Sequence, residues 1–226
     1  MSNSVVSGIA RYLSNDVEAL DVISQNVANM RTTGYRTERL KIDFRTGTLD
    51  PEPALSLADG NLDMTGRPLD LAIQGPGFFV VDVNGQEMLT RDGQFHIDAN
   101  QQLVDVSGHP VLGQSGPITL ARDGVHINAA GEITDGDKTI DSLRVVAIGT
   151  PEALRESGDG LYTYAGAPAD WNGSIHQGAL EKSNVDASSE IVRLMELTRH
   201  AQSVQRAIQA YDQAMQSGIN HLGDNN

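Results

Sequence analysis

A chain of 226 residues is long enough to bury a hydrophobic core of its own, as one or two domains. Its 16 basic and 30 acidic residues leave a net charge of −14, which argues against binding to nucleic acid or to an anionic membrane surface. The absence of cysteine excludes a disulfide framework, a thiolate zinc site and a thiol nucleophile.

The sequence predicts no membrane-spanning or secretory segment. No window approaches the roughly 18 apolar residues of a membrane-spanning helix. The N-terminal stretch MSNSVVSGIARYL lacks the basic region and the long apolar region of a secretory signal peptide. We therefore expect a protein that is neither inserted in a membrane nor a substrate of the general secretory pathway.

The first predicted element is a long helix over residues 1–33. Its apolar positions advance by three and four residues, which is typical of a heptad seam with one polar member, Asp16. The positions are Val6, Ile9, Leu13, Asp16, Leu20, Ile23, Val27 and Met30. The helix runs into the stretch SQNVANMRTTGYR, where asparagine costs up to about 0.7 kcal/mol relative to alanine. Asn26 and Asn29 therefore need a reason to be there.

Residues 34–75 are predicted to be a connecting segment, and residues 76–165 a β-rich domain. Strand patterns around a turn predict a hairpin, with Phe78 to Val83 as one strand, Asn84-Gly85 as a type I′ turn and Glu87 to Thr90 as the return strand. The stretches SLRVVAIG and LYTYAG, which begin at Ser142 and Leu161, supply further strands. These short runs favour an antiparallel arrangement.

An internal echo occurs within the β-rich region. RDGQFHIDANQQL begins at Arg91 and RDGVHINAAGEI begins at Arg122, and both contain Arg-Asp-Gly, His-Ile, an Asp or Asn and an Ala. The echo predicts that one kind of hairpin is built twice.

A second connecting segment, 166–186, leads to a second long helix over residues 187–226. Asp186 or Ser188 can cap it, Glu190 complements the helix dipole, and Gly223 is placed as a C-terminal stop. Its seam is Leu194, Leu197, Ala201, Val204, Ile208, Tyr211, Met215, Gly218 and Leu222. The sequence therefore predicts an α+β fold in which the long N- and C-terminal helices pair as a coiled-coil-like inner domain, with an antiparallel β-rich middle domain.

Each helical stripe is predicted to be a subunit interface, because the chain offers no third helix of matching length. Two alternatives are that the helices pair only within one monomer, and that both ends stay disordered until assembly. The predicted interface residues are Ile9, Leu13, Leu20, Ile23, Val27, Met30, Leu194, Leu197, Ala201, Val204, Ile208, Tyr211, Met215 and Leu222.

No motif for catalysis, metal binding or cofactor binding emerges. The stretch QGPGFF lacks the strand, helix and third glycine of a dinucleotide loop, and DVNGQE and DANQQ lack the oxygen series of a calcium loop. Asp135 and Asp137 lie in a glycine-rich turn, and no G-x-S-x-G motif occurs. The histidines lack ligand spacing on any helix face, namely His96, His109, His126, His176, His200 and His221. We predict a protein that is not an enzyme and has no cofactor.

Two motifs at opposite ends of the chain resemble the signatures of the flagellar axial proteins. In SQNVANMRTTGYR, the matching residues are Asn26, Ala28, Asn29, Thr32, Gly34 and Tyr35, whereas Gln25 and Val27 depart from the usual pattern. In GALEKSNVD, they are Gly178, Leu180, Glu181, Ser183, Asn184, Val185 and Asp186. Three further stretches are similar to basal-body rod proteins, namely TGRPLDLAIQGPGFFVV, TRDGQFHID and GHPVLGQSGPI. The last stretch, together with the modest length of the chain, favours the proximal-rod type.

The resemblance implies a structural subunit of the flagellar basal-body rod, assembled helically with copies of itself and other rod proteins and transmitting motor torque to the hook and filament. It also implies export by the flagellar type III apparatus into the periplasmic space without a cleaved signal peptide. Distal-rod and hook proteins are near alternatives. From another class, a secreted β-rich binding module or glycan-acting enzyme stays open.

The resemblance also suggests a role for the two asparagines. Asn26 and Asn29, spaced i and i+3, are predicted to lie on one helix face and to bond to the backbone or to a neighbouring copy. Thr32, Thr33 and Gly34 would then break the helix so that the chain turns outward. The alternative is simple fraying of a helix end.

Overall fold

The structure, a computed structural model, describes residues 2–40, 42–43, 48–49 and 54–223. The chain folds into two compact units. The helical unit comprises Met1–Ala28, Leu40–Pro53 and Asp186–Asn226, and the β unit comprises Asn29–Arg39 and Ala54–Val185. The β unit thus includes residues 54–75, which the sequence assigned to a connecting segment. These compact units are defined by contacts within the chain, and the predicted domain limits stay predictions.

Two long helices dominate the helical unit. Helix α1 spans Ser2–Ala28 and helix α2 spans Ala187–Gly223. Asp186 caps α2, because its Oδ1 accepts a hydrogen bond from the Ser188 N–H at 3.1 Å. Neither helix, as far as it is described, contains a stretch apolar enough to cross a membrane.

The prediction that the two helices pair as a coiled coil is wrong for this subunit. The helices contact each other and run antiparallel, since Asn26 reaches Glu190 and Asp16 reaches His200. Knobs-into-holes packing would bury the seam. Instead, the seam side chains Leu13, Leu20, Val27, Met30 and Leu194 are each 39–42% exposed.

The register of α1 explains the difference. Its less exposed side chains include Asn15, Ala19, Val22 and Asn26, one residue before the predicted seam, beside the seam members Asp16 and Ile23. The bonds that join α1 to α2 are made by polar side chains, and polar contacts do not require the apolar stripe to face inward. The stripe of α1 is therefore largely left exposed.

Most strands are short, and every described pairing is antiparallel. The strands of the first half are β1 (Glu38–Arg39), β2 (Ile42–Asp43), β3 (Thr48–Leu49), β4 (Ala54–Leu55), β5 (Leu62–Met64), β6 (Leu71–Gln74), β7 (Phe78–Val83), β8 (Gln86–Thr90), β9 (His96–Ile97), β10 (Leu103–Val104) and β11 (Leu112–Gly113). Those of the second half are β12 (Gly116–Pro117), β13 (His126–Ile127), β14 (Glu132–Asp135), β15 (Lys138–Ser142), β16 (Val145–Ile148), β17 (Leu154–Gly158), β18 (Leu161–Tyr164), β19 (Pro168–Ala169), β20 (Ser174–Gln177) and β21 (Ala179–Glu181). A short 3-10 helix, Pro151–Ala153, precedes β17.

The largest sheet has the order β17-β18-β8-β7-β16-β19. At its centre, the predicted hairpin is confirmed, with Val83 opposite Gln86 across the Asn84-Gly85 turn. A three-stranded sheet, β13-β14-β15, and several two-stranded pairs complete the β unit: β1-β4, β9-β10, β11-β12, β6-β20 and β5-β21. In the helical unit, β2 pairs with β3.

Strand β7 is apolar on both faces because it separates two hydrophobic clusters. Phe79 and Val81 point into the larger cluster, where Phe79 meets the edge of Phe95 at 5.1 Å between ring centroids. Phe78 and Val80 point to the opposite side, into a smaller cluster with Tyr162. This two-sided burial is why FFVV shows no polar alternation.

The internal echo corresponds to two hairpins of one design. Asp98, between β9 and β10, accepts hydrogen bonds through Oδ1 from the N–H groups of Asn100 and Gln102. Asn128, between β13 and β14, accepts them from Ala130 and Glu132. The predicted repetition is confirmed at the level of local construction.

Candidate functional site

The two signature segments lie side by side within the β unit. The Gly34 N–H donates to the Glu181 carbonyl oxygen at 2.8 Å, and the Asn184 N–H donates to the Tyr35 carbonyl oxygen at 3.3 Å. Residues 34–37 follow α1 in the chain, and residues 181–184 precede α2. The first and the last segments of the β unit are therefore hydrogen-bonded to each other.

Gly34 permits a close approach that other residues would prevent. Its φ is +68°, in the left-handed region, and a Cβ placed there would lie 2.4 Å from the carbonyl carbon of Arg91. A backbone neighbour at this distance cannot move aside as a flexible side chain can. Only glycine satisfies both the conformation and the contact.

A buried ionic cluster lies beneath the two segments. Arg36 and Arg91 flank Glu181, with Arg36 Nη2 3.0 Å from Glu181 Oε1 and Arg91 Nη1 3.2 Å from Glu181 Oε2. The side chains of all three are 1% exposed. Asp59, 38% exposed, places Oδ1 3.5 Å from Arg36 Nη2 and 3.4 Å from Arg91 Nη2. Two guanidiniums thus face two carboxylates.

The charge balance of this cluster suits burial. Burial, followed by the neighbouring positive charge of Arg36, lowers the pKa of Arg91 to about 10, so that Arg91 stays protonated at neutral pH. Arg91 also donates to the carbonyl oxygens of Ile73 and Gly75 and lies over the ring of Phe78, at 5.3 Å from its centroid. Both Nη groups of Arg91 are thus paired, as a buried charge requires, whereas its Nε is buried without a hydrogen-bond partner among the described residues.

Asn184 ties the second signature to two other parts of the chain. Its Oδ1 accepts hydrogen bonds from the N–H and Oγ1 of Thr37, at 2.7 and 2.6 Å. Its Nδ2 donates to the carbonyl oxygens of Ser56 and Ala58, at 3.1 and 2.7 Å. The donors and acceptors of one amide side chain are therefore all directed at the backbone or side chains of neighbouring segments.

A pair of carboxyl groups lies near Tyr35. Burial, then a hydrogen bond to Glu156 and the negative charge of Glu156, raises the pKa of Glu38 to about 7. Burial, followed by the charge of Glu38, also raises the pKa of Tyr35. Around neutral pH, Glu38 therefore gains or loses a proton.

The helical unit presents a different kind of surface. Among its described side chains, Ile23 is the single buried apolar residue. Large apolar side chains that are at least 39% exposed are Tyr12, Leu13, Val17, Leu20 and Val27 on α1 and Ile191, Val192, Leu194 and Met195 on α2. The two helices therefore carry apolar surface that this single chain does not cover.

The predicted interface residues fall into distinct groups. Ile23 is buried, and five on α2 are partly buried, namely Leu197, Ala201, Val204, Ile208 and Tyr211. Five are exposed, namely Leu13, Leu20, Val27, Met30 and Leu194. The side chains of Ile9, Met215 and Leu222 lie outside the described residues.

The two signature asparagines do not share a helix face. Asn26 is fully buried, and its Nδ2 donates to Glu190 Oε2 at 3.4 Å. Asn29 follows the last residue of α1, where its carbonyl oxygen accepts a hydrogen bond from the Thr32 N–H at 3.0 Å. Because α1 ends at Ala28, the expectation of a common helical face is wrong. Asn29 instead stabilises the turn that follows the helix.

The other signature residues lie around the ionic cluster or at the start of α2. Tyr35, Leu180 and Glu181 are buried, whereas Thr32 is exposed and Gly178, Ser183 and Val185 are intermediate. Sequence reasoning missed Arg36, Thr37, Asp59 and Arg91 as parts of this site. One sequence feature could have indicated the burial of Arg91, because this arginine directly follows MLT, the buried end of a strand. Its echo counterpart, Arg122, is 64% exposed and pairs with Asp135.

No metal site is formed in the described part of the chain, where no three His, Asp or Glu side chains are arranged to hold an ion. His109 pairs with Asp105 at 2.9 Å, and His200 pairs with Asp16 at 2.9 Å. These histidines are engaged in pairwise contacts.

Three segments of the chain match known protein families. Residues 13–36 match the flagella basal body rod protein family, residues 72–135 match the D1 domain of the flagellar hook protein FlgE/F/G, and residues 176–221 match the C-terminal region of the flagellar basal body rod FlgEFG protein. Each segment contributes one member of the buried cluster, namely Arg36, Arg91 and Glu181.

Individual relatives match nearly the whole chain. The flagellar basal-body rod protein FlgF of Caulobacter vibrioides is 30% identical, with 99% of each chain covered. This chain belongs to the flagellar basal-body rod protein family. The FlgF of Mesorhizobium japonicum is 31% identical over 90% of this chain and 91% of the relative. The rod protein FlgG of Bacillus subtilis is 28% identical over 97% of this chain and 99% of the relative.

Membership of the rod protein family confirms the predicted class of function. The chain is a structural subunit of the flagellar basal-body rod and not an enzyme. Rod proteins assemble with other rod components, which sets aside the binding-module and glycan-enzyme alternatives.

Proposed function

We propose that this rod subunit is of the FlgF, proximal-rod type and contacts other subunits through the exposed apolar faces of α1 and α2. The observation that carries the proposal is the apolar surface of the helical unit, of which Leu20, 42% exposed, and Leu194, 41% exposed, are examples. Contiguous exposed apolar surface marks a protein interaction site. A rod subunit that is not yet assembled is expected to display one.

In the assembled rod, such contacts would transmit torque by packing rather than by chemistry. Burying apolar side chains stabilises a contact by about 25 cal/mol per Å² of apolar area removed from water. Subunit contacts of this kind resist displacement along the whole length of a helix. The partly buried residues of α2, including Ile208, extend the same proposed surface.

We also propose that the flagellar export apparatus delivers the subunit to the periplasmic part of the basal body. Family membership supports this route, because a rod subunit must reach the rod to be incorporated. The expected partners are then the export apparatus, copies of the same chain and other rod proteins.

A substitution on the exposed face of α1 tests the proposal. In a strain that lacks its own FlgF, Leu20→Asp should abolish rod completion and motility, because the contact would have to bury an unpaired carboxylate. Leu20→Met keeps the position apolar and is the matched control, with normal motility expected. Secretion of both variants is measured in parallel, so that loss of assembly is distinguished from loss of export. Complete rods with Leu20→Asp would show that this face is not an interface.

The distal-rod alternative is favoured by the match to FlgG of Bacillus subtilis, which covers 97% of the chain. Complementation distinguishes the two types. Expression of the chain should restore motility to a strain that lacks FlgF and not to one that lacks FlgG. The reverse result would assign the chain to the distal rod.

A further inference from the structure

The buried cluster of the β unit is not accounted for by helix-mediated assembly. Arg36, Arg91 and Glu181 are sequestered inside the β unit, where they cannot form a surface for another subunit. Burying three charges carries a desolvation cost that apolar residues of similar volume would avoid. Their presence therefore calls for a role inside the subunit.

We propose that Arg36, Arg91, Glu181 and Asn184 form a clasp, which fixes residues 34–37 and residues 181–184 to one place on the β unit. These two segments are the ones through which the β unit connects to α1 and to α2. The signature motifs are, on this proposal, an internal fastening rather than a surface for a partner.

The bonding pattern of the clasp ties the two segments and the β unit together. Glu181 accepts the Gly60 N–H at 2.7 Å as well as the two guanidiniums. Asn184 joins Thr37 to the carbonyl oxygens of Ser56 and Ala58. Each group has partners in at least two other segments, so removal of one partner leaves buried polar groups unsatisfied. Networks of this kind hold or open as a unit.

Directional bonds also explain why the cluster is polar. An apolar core tolerates small sliding of its side chains, whereas the paired guanidiniums and the amide of Asn184 accept one geometry. In a rod subunit, force on α1 or α2 would reach the β unit along these two chain segments, because they join the two helices covalently to it. This last step rests on the proposed function.

Hydrogen exchange on the isolated full-length chain tests the clasp itself. Asn184→Ala removes the amide without leaving a buried charge. The amides of Gly34, Gly60 and residue 184 bond to groups other than the Asn184 side chain. If the clasp opens as a unit, all three should exchange at least about tenfold faster, while the amides of the β7–β8 hairpin keep their wild-type rates.

Asn128→Ala is the matched control. Asn128 is also intermediate in burial and accepts two backbone N–H groups, but it lies in the turn between β13 and β14. In the Asn128→Ala variant, the exchange rates of the amides of Gly34, Gly60 and Asn184 should stay within about twofold of the wild-type rates. Equal rates in the two variants would overturn the clasp. Should Asn184→Ala fail to fold, Thr37→Val removes one bond to Asn184, and unchanged exchange at Gly34 and Gly60 would then be the contrary result.

Complementation separates the clasp from the proposed helix interface. Asn184→Ala should impair motility in a strain that lacks FlgF, although Leu20 and the rest of the exposed face are intact. Normal motility together with accelerated exchange would overturn the force-bearing role. Failure of the helix interface would instead appear in the Leu20→Asp experiment, whatever the exchange rates.

Discussion

At the scale of single residues, Gly34 combines two constraints that can be measured separately. It has a positive φ, and its Cα approaches the backbone of Arg91. Gly66 has a similar φ of +72°, but nothing lies within 4 Å of the Cβ that alanine would add. The pair therefore distinguishes backbone conformation from steric contact.

We expect Gly66→Ala to lower the free energy of unfolding by about 1 kcal/mol, the usual cost of a left-handed conformation. Gly34→Ala should lower it by about 3 kcal/mol or more, because the added Cβ also collides with Arg91 and Asp92. Denaturant titration of the β unit within the full chain measures both. Equal losses of unfolding free energy in the two variants would show that the backbone around Arg91 moves easily to admit the added Cβ.

Glu38 gives the β unit a pH dependence of known sign. Its pKa is raised from about 4.5 to about 7 in the folded chain, so folding favours the protonated form. The contribution of this group to stability is therefore complete below about pH 4.5 and is lost as the pH rises through about 7. The glutamine of a Glu38→Gln variant cannot ionise, so that variant does not lose this contribution to stability as the pH rises.

We expect the unfolding midpoint of the wild type to fall relative to that of Glu38→Gln between about pH 5 and pH 8. Denaturant titrations at the two pH values measure the change. Glu87→Gln is the control. The hydrogen bond from Arg144 lowers the pKa of Glu87, so its contribution is lost only below about pH 4.5, and the difference between the midpoints of wild type and Glu87→Gln should stay constant between about pH 5 and pH 8. If the unfolding midpoints of wild type and Glu38→Gln differ by the same amount at both pH values, the prediction is contradicted.

At the scale of elements, α1 contains a poor helix former, Asn26, at a position where its buried contact stabilises more than its low helix propensity costs. Alanine at position 26 would favour the helix by up to about 0.7 kcal/mol. It would also leave the buried carboxylate of Glu190 without the amide of Asn26, a loss of about 1–3 kcal/mol. The second effect is larger, so the asparagine is retained for its contact.

Asn26→Ala should therefore lower the thermal midpoint of the helical signal, followed by circular dichroism of the full chain. Ser24→Ala is the control, since Ser24 is exposed on the same helix and gains only propensity. Fraying of the helix end would instead make Asn26→Ala the more stable protein. The direction of the shift decides between the two.

At the scale of the whole molecule, the two units differ in how much apolar surface they bury. The β unit contains two hydrophobic clusters, whereas Ile23 is the one buried apolar side chain among those described in the helical unit. Stability follows burial of apolar surface. The isolated subunit should therefore not unfold in a single step.

We expect the helical signal to be lost at lower denaturant concentration than the tertiary signal of Tyr162 and Trp171 in the β unit. In dilute solution, amides before about residue 33 and after about residue 186 should exchange quickly. Coincident transitions, or strong protection of both ends, would contradict this. The same amides should become protected in assembled rods.

Local chemistry let the sequence predict much of this architecture. Asn84-Gly85 between two apolar runs suffices for a type I′ hairpin, and a three-and-four spacing of apolar residues suffices for a long helix, because both depend on neighbouring residues. The two signature motifs likewise led to the family. These features need no knowledge of distant contacts.

Only the tertiary structure decided which faces are covered and which charges meet. The apolar stripe predicted a coiled coil, yet most of that stripe on α1 is exposed. The α1 side chains that bond to α2 include Asn26, one residue before the stripe, and Asp16, its one polar member. Arg91 and Glu181 are 90 residues apart in sequence. The shared Arg-Asp-Gly motif does not distinguish the buried Arg91 from the exposed Arg122. The difference arises from long-range packing, which brings together the carboxylates and carbonyl oxygens that make a buried guanidinium stable.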